Sequence, residues 1–127
     1  MARLTWVLLL WVGSCATASA ANELMRANFL NAYYCAGIAD IYGERLSAAG
    51  GHAGEAGKAK ELANILRSRA AQIGRSHQLS GGEKAAEANG KNTMSRLLPP
   101  NGGWTKGGDI PIDAVRQYQQ CVSMVQR

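Results

Sequence analysis

Bulky apolar side chains are in short supply in this chain of 127 residues. Aromatics make up 6% of it, phenylalanine occurs once, and the 46% hydrophobic fraction leans on alanine, the commonest residue. Alanine buries little area, so the core must be thin and a covalent crosslink would matter to it. Cysteine is scarce too, with three residues, and none forms a C-x-x-C pair, a C-x-x-C-H haem attachment or a spacing suited to structural zinc. The only histidines, His52 and His77, lie far apart in the sequence and read as surface residues, so neither a metal nor a cofactor is expected. No serine sits in a G-x-S-x-G elbow. The chain is too short for the multi-domain architecture of most large enzymes.

What is present begins with a leader. Met1-Ala2-Arg3 is followed by the apolar run Leu4 to Val12 and by the small-residue box Ala18-Ser19-Ala20. A positive start, a short apolar stretch and an A-x-A box describe a secretory signal, and the run is too short to span a bilayer. Residues 1–20 are therefore expected to be a signal peptide, leaving 21–127 as one helical domain. Within the leader, Val12-Gly13-Ser14-Cys15 resembles the lipobox of bacterial lipoproteins, which implies the alternative that Cys15 is acylated and the product is a membrane-anchored lipoprotein. Both readings export the chain, to the periplasm or beyond.

With Cys15 set aside, two cysteines remain. In an oxidising compartment Cys35 and Cys121 are expected to pair, and closing so long a loop stabilises by roughly 4 to 5 kcal/mol on the chain-entropy view. For a thin core that is a large share of the total.

Helical periodicity runs through the rest. Asn22 suits an N-cap, and the segment to Gly50-Gly51 places Leu24, Ala27, Leu30, Tyr34, Ile38, Tyr42 and Leu46 in one arc. A neighbouring arc of Ala32, Ala36, Ala39 and Gly43 is small enough to admit a second helix closely, so this is expected to be the central helix. A second helix is expected from Glu55 to about Gln78, with an uncertain end at Gly74. The string Ser80-Gly81-Gly82-Glu83 fits a capping box with Ser80 at the cap, opening a third helix toward Leu98 that Asn89-Gly90 interrupts. Pro99-Pro100 stops it. A glycine-rich loop carries Trp104, and Pro111 suits the first turn of a last helix containing Cys121. The expected fold is all-α, a small four-helix bundle-like domain with one disulfide joining the first and last helices.

Two strings imitate nucleotide motifs. Gly51 to Lys58 looks like a phosphate loop, but it has one residue too many between the outer glycines, Ala59 replaces the Ser/Thr, and no strand precedes it. Leu79-Ser80-Gly81-Gly82-Glu83 is similar to the signature motif of ABC-transporter ATPases, whose fold a chain this short cannot host. Asp40 and Glu44, one helical turn apart, could do acid–base work in a cleft, which supports the secondary reading of a small lytic enzyme or hydrolase. An i, i+4 acidic pair is more often simply solvated.

Charge gives the stronger signal. The formal net charge is +5, and between Glu55 and Arg96 eight Lys/Arg stand against four Glu. Such a surface suits an acidic protein or another anionic envelope component. Nucleic acid is disfavoured, because the chain is exported and no aromatic lies between Tyr42 and Trp104 to stack on a base. Phe29 and Tyr33 form an i, i+4 pair on a nominally polar face, reading either as the buried second side of a central helix or as an exposed patch. The leading expectation is an exported, non-enzymatic binding protein of inhibitor, immunity or chaperone type. Its candidate contacts are Phe29, Tyr33, Arg67, Arg75 and Trp104, with membrane association only through Cys15. A lipid-anchored structural component of an envelope assembly is the further alternative.

Overall fold

A computed structural model describes the backbone of residues 2–101, 103–106 and 108–126, and the side chains from Ala20 onward except at 102, 103, 106, 107 and 127. The leader side chains, Cys15 among them, lie outside the described residues. Four α-helices follow one another: α1 (Ala2–Ala49), α2 (Ala53–His77), α3 (Glu83–Leu97) and α4 (Ile112–Gln126), with a short 3₁₀ turn at Gly103–Lys106 before the last. Among the described residues there is no strand. None of these helices is long and apolar enough, over the described residues, to cross a membrane.

Helix α1 is the axis on which the others pack. The small-residue arc does what its composition implies, since Ala32, Ala36, Ala39 and Gly43 are all buried. At Gly43 a Cβ would stand 3.1 Å from the Ala56 carbonyl oxygen and 3.3 Å from the Ala59 side chain, so α2 runs almost backbone to backbone with α1. A second close crossing joins α1 to α3. A Cβ at Gly90 would collide with the Tyr34 carbonyl oxygen, and one at Gly37 with that of Glu87. Gly90 therefore does not interrupt α3; it lets an unbroken α3 reach α1, and its helix-propensity cost of about 1 kcal/mol is offset by that approach.

The two expected cysteines are bridged, with Cα atoms 5.4 Å apart and a sequence separation of 86 residues. The bridge fastens α4 to α1 beside a core that includes Ile38, Tyr42, Leu46, Leu66, Met94, Leu98 and Trp104. A smaller cluster of Phe29, Ala32 and Ala70 extends the core toward the far end of α2.

Several boundaries differ from expectation. Asn22 is not a cap, because α1 is already helical from Ala2 and passes through it. Leu24 and Ala27 share the apolar arc yet are exposed, since the first buried side chain of α1 in the described region is Phe29. Ser80 is not the cap of α3 either. Gly82 takes that position at φ 88°, and Glu83 reaches back to accept a hydrogen bond from the Gly81 N–H at 2.7 Å. Helix α2 ends at His77 with Gln78 in the left-handed region, and the Leu79 N–H donates to the Gly74 carbonyl at 2.8 Å. Gly74 is small for a local reason: a Cβ there would lie 2.9 Å from the Phe29 ring. Pro111 opens α4 as expected, its carbonyl accepting from the Ala114 and Val115 N–H groups.

Candidate functional site

The residues singled out in the sequence separate into buried and exposed groups. Phe29 is 2% exposed and meets Tyr33 edge-on at 5.3 Å between ring centres. The aromatic pair thus marks a helix covered on two sides, and Phe29 is corrected from contact residue to core residue. Trp104 is also corrected. It is 6% exposed, and its indole N–H donates to the Pro99 carbonyl at 3.2 Å, so the glycine-rich loop folds it inward. A buried indole that finds a carbonyl is the stable arrangement for tryptophan.

Arg67 is drawn inward as well. Its guanidinium pairs with Asp40 of α1 and donates through Nε to Glu87 of α3 at 2.7 Å, with Lys91 at 4.0 Å from the same Asp40 carboxylate. Burial lowers the Arg67 pKa, but the hydrogen bonds that it donates to Glu87 and Asp40, with their negative charges, outweigh this and raise the pKa above its ordinary value. A planar fork that answers two carboxylates at once is a task for arginine. Arg67 therefore clamps three helices together. The same contact removes the Asp40–Glu44 pair as two free carboxylates: Asp40 is bound, and Glu44 stands in solvent near Arg45.

Arg75 and the half-buried Tyr33 remain accessible, in a shallow notch shared with Glu83 between the end of α2 and the start of α3. Around them lies an excess of cations. Seven of the eight Lys/Arg between residues 55 and 96 are exposed, Arg67 being the exception, whereas Glu83 and Glu87 are half-buried and engaged in internal contacts. The outward sides of α2 and α3 are therefore more positive than the sequence count implies.

A second concavity was not foreseen. Tyr42 of α1 and Tyr118 of α4 stack at 4.2 Å between ring centres and 6° between planes. They line an open groove of about 770 Å³ together with His52, Glu55, Lys58 and Asp109. Burial, reinforced by the nearby Glu55 carboxylate, pushes the Tyr42 hydroxyl up to about 12 and raises that of Tyr118. Tyr42 lies on the apolar arc read from the sequence. The usable signal was that a buried tyrosine needs somewhere for its hydroxyl to go.

No protein-family description, curated protein or solved structure matches this chain.

Proposed function

We propose that this protein is exported, loses residues 1–20, and works without catalysis by binding an anionic partner, an acidic envelope protein or anionic envelope component, through the outward cations of α2 and α3. The observation that carries this reading is the distribution of charge. Lys58, Lys60, Arg69, Arg75, Lys84, Lys91 and Arg96 are exposed, while two of the four Glu in the same stretch are spent on internal contacts. A rigid scaffold helps such a surface, because groups already held in place lose less entropy on binding. The bridge, the Arg67 clamp and the two glycine crossings supply that rigidity.

The leader fits the same reading. Ala20 and Ala21 are exposed, and the first buried side chain among the described residues is Phe29, so a cleavage after Ala20 precedes that packed stretch. Intact mass of the exported protein tests this: a mature N-terminus at Ala21 supports it, and a diacylglycerol on Cys15 replaces it with the anchored form. For the surface, the test is capture of the envelope partner by the mature protein and by the double charge reversal Arg75→Glu, Lys84→Glu. Loss of capture with an unchanged circular dichroism spectrum supports the assignment, and undiminished capture removes it.

A further inference from the structure

The groove over the stacked tyrosines carries a feature that the binding face does not use. Tyr42 is 3% exposed as a residue and lines the groove, and its hydroxyl has no hydrogen-bond partner among the described residues, so the oxygen is left to the solvent of the groove. Since no buried side-chain polar atom is left unsatisfied among the described residues, this hydroxyl opens to the groove, where water meets it and a ligand can take that place. Glu55 is close enough to both phenols to act on their protons electrostatically, and neither it nor Asp109 forms an ion pair among the described residues. Two carboxylates without an ion pair among the described residues thus line the same groove as the stacked tyrosines.

Part of the lining is apolar. Ile110, Val115 and Val122 line the groove beside these polar groups and supply a track for an aliphatic stem. Lys58 also lines it, but its side chain is exposed and shares α2 with Glu55 without pairing to it. The overall positive charge acts weakly at the groove, because solvent-exposed charges are screened within about 8 Å at physiological salt.

We propose that this groove is a binding site for an organic cation, an ammonium or guanidinium head on an aliphatic stem. Glu55 is its counter-ion, the Tyr42 oxygen its hydrogen-bond acceptor, and the Tyr118 ring its aromatic neighbour. An ammonium group offers donors to both oxygens at once and gains further from the nearby ring face. The head belongs either to a free amine or to a lysine or arginine side chain of a peptide. The site shares Lys58 with the basic face but uses none of that face's cations to hold its ligand, so its failure leaves the reading of α2 and α3 standing.

The test is titration calorimetry on the disulfide-intact exported protein with cadaverine, with blocked lysine (N-acetyl-lysine methylamide), and with the norleucine analogue that keeps the stem and lacks the ammonium. Saturable binding of either cation, with none by norleucine, is expected, and the preferred cation distinguishes a free amine from a peptide side chain. Glu55→Gln should weaken it about ten-fold or more, and Tyr42→Phe about five-fold. Tyr42→Phe keeps the ring, so it remains informative should Glu55→Gln fail to fold. The proposal is overturned by equal binding of norleucine, by binding of acetate that depends on Lys58, by indifference to Tyr42→Phe, or by no saturation up to about 10 mM.

Discussion

At the residue scale, glycine has two opposite meanings in this chain. At Gly90 the neighbour is the Tyr34 carbonyl and at Gly37 the Glu87 carbonyl, both backbone atoms that cannot swing aside. Gly90→Ala is expected to destabilise by about 3 kcal/mol, because two helices must move apart to seat one methyl group. Gly57 lies in the same kind of helical backbone with open space around it. Gly57→Ala should stabilise by about 0.5–1 kcal/mol, so the pair of substitutions, compared by urea denaturation, should move the midpoint in opposite directions. Nothing local in the sequence distinguishes Gly90 from Gly57, because what differs is the helix on the other side. Tyr42 makes a second prediction at this scale. Below pH 10 its phenol is protonated both folded and unfolded; above that the unfolded chain releases the proton while the folded chain holds it to about 12. Stability should therefore fall as pH rises between these limits, and the part of the fall due to this residue should vanish in Tyr42→Phe, as read by thermal melts at stepped pH.

At the element scale, helices α1, α2 and α3 are joined by Arg67, and α1 and α4 by sulfur. Arg67→Ala leaves Asp40 and Glu87 facing each other with only Lys91 near, and should cost about 1–2 kcal/mol, the sites being half-buried rather than sealed. Arg67→Lys should recover only part of this in denaturation experiments, since one ammonium cannot reproduce the fork. Replacing both Cys35 and Cys121 by serine should cost more, about 4–5 kcal/mol for a loop this long. Much of this layer was legible beforehand. The Ala32–Gly43 stripe announced a close α2, the two thiols announced the tie to α4, and Pro111 announced its start. Helix ends were less legible: Glu83 reaches back as a capping box demands, but to Gly81, because Gly82 rather than Ser80 takes the cap. Phe29 was ambiguous because periodicity locates faces without saying how many neighbours a helix has. The tyrosine groove was invisible because α1, the start of α2, the loop at Asp109 and α4 contribute to it from distant positions.

At the scale of the whole molecule, charge is the property that reaches beyond the surface. Binding through the cations of α2 and α3 should weaken steadily as salt rises from about 0.05 to about 0.3 M, because screening shortens the range of each charge. The proposed cation capture in the groove should persist better, since a counter-ion met at contact is screened less than separated surface charges. Surface-plasmon measurements of the two partners over one salt series would separate the sites.

The tyrosine stack has one member on α1 and the other on α4, and α4 itself contributes only Ala114 and Cys121 to the fully buried set. A newly synthesised chain held under reducing conditions would have little to keep that last rod in register, and the aromatic cradle would stand half-built. On the proposal of export, oxidation of Cys35 and Cys121 would finish the receptacle as well as the scaffold, and the proposed cation binding should be lost when the bridge is reduced.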